Sequence, residues 1–159
     1  MAKRKKRQLF WGSYTVAGIK HLSQDKELSL TAVQLFFALI GHMSESSSYN
    51  NEVIITQKIL SEELDLAKST VSKGIGVLIS QEYIIKITSG FMVNPIFFYI
   101  GKRNQWEVDE LREKFNTKVA NPKYEIDEET NTLEVMDIDT VEKDYDSISD
   151  SDPFGQLLN

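Results

Sequence analysis

The chain contains no cysteine among its 159 residues. Disulfides, thiolate nucleophiles and cysteine-ligated zinc are therefore excluded, which fits a reducing compartment. Histidine is scarce as well. His21 and His42 are the only two, and they form no His-x-His pair, so the metal site of a DNA-nicking enzyme is absent. No Gly-x-x-x-x-Gly-Lys-Ser/Thr phosphate loop occurs, and the Gly-Ile-Gly at 74–76 lies inside a helical pattern rather than after a strand. Asp137–Asp146 lacks the central glycine and the correctly placed Glu of a calcium loop. Catalysis is not expected, and neither a cofactor nor a metal is implied. No apolar run reaches the roughly 18 residues that span a membrane. The basic N-terminus MAKRKKRQLFWGSYTVAGI lacks the apolar core and small-residue cleavage site of a signal peptide. A soluble, cytoplasmic protein without a membrane partner is expected.

Charge is plentiful but unevenly placed. The net charge is −6, yet residues 1–123 hold 17 Lys/Arg against 12 Asp/Glu, and residues 124–159 hold one Lys against 12 Asp/Glu. A basic body with an acidic tail suggests a nucleic-acid partner. The surplus of the body comes from the arm Lys3, Arg4, Lys5, Lys6 and Arg7, without which residues 1–123 are neutral.

Hydrophobic periodicity divides the rest. Residues 1–7 read as a basic disordered arm, and 8–22 as a strand or an irregular lead-in. Residues 28–43 (LSLTAVQLFFALIGHM) read as a helix with Ser29 or Thr31 as N-cap and Val33, Phe36, Phe37 and Ile40 on one face. A polar loop, 44–52, precedes a β-branched strand, 52–56. Thr56 can cap a helix over 57–64 with Ile59, Leu60 and Leu64 as its apolar set. LDLA, 64–67, is a tight break before a second helix, 68–81, whose core stripe is Val71, Ile75, Leu78 and Ile79. Residues 82–101 read as a hairpin turning at Ser89-Gly90, with Asn94-Pro95 interrupting the second strand because proline has no N–H to donate. Residues 105–119 form an amphipathic helix with Val108, Leu111, Phe115 and Val119. Residues 121–159 are acidic and polar and are expected to be mostly disordered.

Helix, strand, helix, tight turn, helix, hairpin is the plan of a winged helix-turn-helix. The expected fold class is thus α+β, with a winged-helix domain over 8–120, a flanking helix and an acidic tail from 121. In that plan helix 68–81 is offered to the DNA major groove. Its outer face, Ser69, Lys73, Gly76 and Ser80 flanked by Thr70 and Val77, carries small hydroxyls and a lysine but no carboxylate before Glu82. Hydroxyls and N-terminal N–H groups suit phosphate oxygens, and lysine reaches a phosphate or a guanine edge. Candidate DNA-binding residues are Gln57, Lys68, Ser69, Thr70, Ser72 and Lys73, together with Lys86, Thr88 and Ser89 at the hairpin tip. Lys102 and Arg103 after the last strand and the arm Lys3–Arg7 complete the set. Two glycines weaken the helix by roughly 1 kcal/mol each. Gly74 reads as a packing or tolerated position. Gly76 either lets the backbone approach a duplex or is neutral drift.

Residues 54–103 (IITQKILSEELDLAKSTVSKGIGVLISQEYIIKITSGFMVNPIFFYIGKR) resemble the plasmid replication initiators of the RepL type. FMVNPIFFYIGKR carries the likeness most specifically, and KSTVSKGIGVLI matches the family's recognition-helix pattern. The likeness spans about 28–103. It implies a non-enzymatic protein that binds the plasmid origin as double-stranded DNA and helps host replication proteins to start synthesis. By the likeness Lys68, Ser69, Thr70, Ser72 and Lys73 touch bases or phosphates, and Asn94 and Pro95 shape the return strand. Gly74 and Gly76 depart from bulkier, often basic residues there. A transcriptional regulator acting at an operator is the alternative, and an adaptor using the fold for protein contacts is a third.

The tail ends YDSISDSDPFGQLLN. Pro153-Phe154 resembles the docking tip of single-stranded-DNA-binding proteins but is not terminal, while Leu157 and Leu158 add a short apolar anchor. Pro153, Phe154, Leu157 and Leu158 are therefore candidates for partner docking. The tail could instead fold over the basic face and compete with DNA. Trp106, Leu111 and Phe115 on the 105–119 helix are large enough to suggest a homodimer.

Overall fold

The structure, a computed structural model, describes residues 12–43, 50–101 and 103–136. The elements are β1 (Gly12–Tyr14), α1 (Val16–Gln24), α2 (Leu30–His42), β2 (Glu52–Val53), α3 (Gln57–Leu64), α4 (Lys68–Ser80), β3 (Ile84–Ile87), β4 (Gly90–Val93), β5 (Phe98–Ile100), α5 (Gln105–Thr117), β6 (Tyr124–Asp127) and β7 (Thr132–Val135). The class is α+β. Strands pair antiparallel in three small sheets, β1-β5, β2-β4-β3 and β6-β7.

Local chemistry sets the helix boundaries. Ser29 caps α2 by accepting the Ala32 N–H at 3.1 Å, and Thr56 caps α3 by accepting that of Ile59 at 3.3 Å. Asp65 ends α3 in the left-handed conformation (φ 51°), with its N–H on the Ser61 carbonyl. The Ser61 hydroxyl donates to the Leu66 carbonyl at 2.5 Å, which closes the turn into α4. Asn104 caps α5 through the Glu107 N–H at 2.9 Å.

The main core joins α2, α4 and the inner face of the β2-β4-β3 sheet: Leu35, Phe36 and Leu39, Val71, Ile75 and Leu78, and Ile84, Phe91 and Val93. Tyr83 stacks on Phe97 with centroids 4.4 Å apart, and Phe36 meets the Tyr83 ring edge-on at 5.4 Å. Strand alternation sends Ile85, Ile87 and Met92 to the other face, where Leu111 and Phe115 of α5 cover them. Two asparagines manage the bend after β4. Asn94 donates to the Glu82 carbonyl at 2.8 Å and accepts from the Ile96 N–H at 3.1 Å. Asn51 donates to the carbonyls of Val93 (3.2 Å) and Phe98 (2.7 Å) and accepts from the Ile100 N–H at 3.3 Å. Both are buried, and among the described residues no buried side-chain polar atom lacks a partner.

Several expectations change. The segment 8–22 is neither all strand nor irregular where it is described: β1 is followed by helix α1. The buried face of α2 is Ala32, Leu35, Phe36 and Leu39, while Phe37 is 55% exposed. The helix is apolar nearly all round, so periodicity could not choose its inner side. Ile59 also points outward. The strand after the 44–52 loop is two residues long, and the run after Pro95 leaves the hairpin's sheet to pair with β1. The expected disordered tail begins too early. Residues 124–135 form the β6-β7 hairpin, and Tyr124 is buried in the main core, so the folded body passes the boundary at 120. Finally, Leu111 and Phe115 are spent on the chain's own sheet and are not available to pair α5 with a second copy.

Candidate nucleic-acid interface

Helix α4 places its residues by its buried stripe. Val71, Gly74, Ile75 and Leu78 face inward, so Lys68, Ser69, Ser72, Lys73, Gly76 and Ser80 are exposed and Thr70 and Val77 half-buried at the edges. Gly74 is a packing position: a Cβ there would collide with Leu35 Cδ1 of α2. A Cβ on Gly76 would meet nothing within 4 Å, so the backbone there is bare on the outer face. The N-cap of α4 is Ala67, which offers no side-chain acceptor. The first N–H groups of the helix thus lie beside the hydroxyls of Ser69 and Thr70, at the positive end of the helix dipole. The Ser80 hydroxyl, by contrast, is turned back on the Val77 carbonyl at 2.9 Å.

Around α4 the other predicted residues are dispersed. Gln57 is half-buried on the first turn of α3, and exposed Lys58 follows it, a cation the sequence reading passed over although its place at a helix start was visible. Lys86, Thr88 and Ser89 are exposed on the β3-β4 hairpin. Gly90 beside them is structural: its Cα approaches the Val53 carbonyl so closely that no side chain fits. Arg103 follows β5, in a different sheet, and its Nε donates to the Ile100 carbonyl at 3.1 Å. Lys3, Arg4, Lys5, Lys6, Arg7, Lys102, Pro153, Phe154, Leu157 and Leu158 lie outside the described residues.

The end of α4 is tied to the acidic hairpin, a link the sequence did not suggest. Tyr124 Oη donates to the Gln81 carbonyl at 2.5 Å, Lys123 Nζ to Gln81 Oε1 at 2.7 Å, and the Lys123 N–H to Glu82 Oε1 at 3.1 Å. Burial raises the Glu82 carboxyl above its ordinary value, although the Lys123 N–H and charge oppose this. Burial likewise raises both phenols, that of Tyr83 further through its 2.8 Å hydrogen bond to Asp25, and that of Tyr124 through the Asp25 and Glu82 charges. It depresses His21, with Lys123 adding to the effect and Asp25 opposing it. Of the hairpin's own carboxylates, Glu125, Glu128, Glu129 and Glu134 are exposed and Asp127 is half-buried. Among the described residues no group of three His, Cys, Asp or Glu is placed to hold a metal, and no helix is long and apolar enough to cross a membrane.

The fold is thus an α+β body in which α4 follows α3 after a tight turn and presents a Ser/Thr/Lys face without a carboxylate. The family model of the Firmicute plasmid replication protein (RepL) matches residues 31–134. The chain belongs to that family, and its role is plasmid replication. The match continues past residue 103, where the likeness in the sequence faded, and takes in α5 and the β6-β7 hairpin. Comparison with curated proteins and with solved structures gave no match.

Proposed function

We propose that this protein binds the origin of its plasmid as double-stranded DNA and recruits host replication proteins there, without catalysing a reaction itself. In this reading α3 and α4 are the helix-turn-helix of a winged helix, α4 enters the major groove and the β3-β4 tip lies along the backbone. The observation that carries it is the outer face of α4, where Lys68, Ser69, Ser72 and Lys73 stand exposed with no carboxylate among them. An ordinary solvated helix face mixes both charges. Lys73→Ala and Thr70→Ala should each weaken binding to an origin duplex by roughly tenfold, the cost of one base or strong phosphate contact. Fluorescence anisotropy at fixed salt measures this, and unchanged affinity in both variants removes α4 from the interface. An operator-binding regulator with the same fold would pass that test. The family's replication role favours the initiator, and transformation separates the two: the gene on an origin-less plasmid should support autonomous replication.

A further inference from the structure

The face of α5 opposite its buried stripe carries an aromatic ring followed by carboxylates. Trp106, Asp109, Glu110 and Glu113 recur at helical spacing, and all four are exposed, Trp106 by 71%. Carboxylates in the first turn of a helix answer its dipole, and Glu107 stands there. Glu110 and Glu113 lie beyond that turn, where the effect has faded. Among the described residues neither forms an ion pair. Asp109 and Glu113 are like charges four residues apart, an arrangement that weakens a helix. The cations nearby are engaged elsewhere: Arg112 reaches Asp109 at 3.7 Å, and Lys114 Nζ donates to Asn50 Oδ1 at 3.1 Å.

We infer that this face is the seat of the chain's own basic arm, Lys3–Arg7. The topology brings the arm to it. β1 and β5 run antiparallel with Gly12 beside Ile100, and the Ser13 hydroxyl donates to the Gly101 carbonyl at 3.0 Å. The residues before Gly12 and the lead-in to α5 therefore leave this ladder at the same end. Tyr99 of β5 packs against the cluster of Met92, Leu111 and Phe115, so ladder and helix are neighbours. Outward from the ladder the arm reads Trp11, Phe10 and Leu9, then Arg7 to Lys3. Helix α5 reads Trp106, then Asp109, Glu110 and Glu113. Apolar groups meet first and opposite charges after, in the same order on both segments. The reach also suffices. Glu113 lies at most roughly 30 Å from Ile100 along the chain, and an extended arm sets Arg7 to Lys3 roughly 17–30 Å from Gly12.

Exposed ion pairs are weak and screened by salt, so the arm is held loosely and comes off as salt rises. A consequence for DNA rests on the proposed role of α4. A duplex carries a denser row of negative charge than three carboxylates on one helix face. A duplex seated on α4 therefore draws the arm from α5 to its phosphates, and α5 keeps the arm occupied until then.

Trp11 and Trp106 are the chain's two tryptophans, so Trp106→Phe assigns the Trp106 indole N–H resonance. At low salt that resonance should differ between wild type and a variant with Lys3, Arg4, Lys5, Lys6 and Arg7 replaced by glutamine, and the two should merge as salt rises. Trypsin should cut within the arm several-fold faster in the double variant Glu110→Gln, Glu113→Gln than in wild type. Helical content should be unchanged, since both side chains are on the surface. A resonance indifferent to the arm, or equal cleavage rates, overturns the docking. Protection that survives the α5 substitutions but is lost when Asp137, Asp139, Glu142 and Asp144 become amides assigns the arm to the acidic stretch and also overturns it. Saturating duplex should move the wild-type Trp106 resonance to the position it takes in the neutral-arm variant with the same duplex. A duplex that binds without moving it overturns the competition, and a protein that binds no duplex overturns the reading of α4 alone.

Discussion

Gly74 and Gly76 stand two residues apart on one helix and have opposite reasons to be glycine. At Gly76 an alanine adds a methyl in open space, so Gly76→Ala should stabilise the fold by up to about 1 kcal/mol in urea denaturation. If α4 sits close to a duplex there, the same variant should bind DNA more weakly. At Gly74 the same gain in helix propensity is set against Leu35, which is fully buried and has little room to yield. Overpacking of this kind costs about 1–3 kcal/mol, so Gly74→Ala should come out destabilised, by on the order of 1 kcal/mol. Equal behaviour of the two variants would remove the distinction. Their spacing on the helical wheel was readable in the sequence. That Leu35 fills the hollow at Gly74 was not, since it depends on how α2 crosses α4.

At the scale of elements, legibility followed local signals. α3, α4, the β3-β4 hairpin and α5 announced themselves through Thr56, the Asp65 turn, Ser89-Gly90 and the Val108, Leu111, Phe115 spacing. Helix α1 did not, because Val16–Gln24 has a β-branched start and an internal glycine. Its support is tertiary. Thr15 caps it through the Gly18 N–H at 2.9 Å, and Gly18 approaches Phe97 so closely that a Cβ would lie 2.9 Å from the Phe97 Cα. The β6-β7 hairpin was hidden by its acidity, although Tyr124 and Ile126 alternate with charged residues and Leu133 and Val135 mirror them. Between these late-found elements sits His21, 5.1 Å from the Tyr124 ring and 6.1 Å from that of Phe97. Its imidazole is held below the ordinary 6.5 by burial, so the unfolded chain takes up a proton first as pH falls. The stability it contributes is present above 6.5 and is lost as pH drops through 6.5 towards the lower folded value. Glu82, raised above 4.5, works in the opposite sense: its contribution is present below 4.5 and is lost as pH rises through the folded value. Urea midpoints for wild type and His21→Phe should therefore converge in slope except just below 6.5, where only wild type loses stability. Parallel profiles would clear His21.

For the whole molecule, the relevant division is not at residue 120 but after the second hairpin. A chain cut after Met136 should fold as wild type, whereas one cut after Lys123 loses Tyr124 from the core and should unfold at markedly lower urea. The acidic stretch beyond 136 carries Asp137, Asp139, Glu142, Asp144, Asp146, Asp150 and Asp152 against Lys143. If it competes with DNA for the basic side of the protein, the chain cut after Met136 should bind an origin duplex more tightly at low salt, the gain fading as salt screens it. Equal affinities at every salt concentration would dismiss the competition. The last hydrogen bond before that stretch also has a mechanical meaning. The Met136 N–H is bonded to the Lys123 carbonyl at 2.7 Å, at the open end of the β6-β7 ladder. A pull on the tail is thus borne one bond at a time, as in opening a zip, and the first pair to part is Tyr124 and Val135. Tyr124 is the residue whose hydroxyl grips the end of α4, so tension applied by anything that seizes the tail is delivered first to the anchorage of that helix.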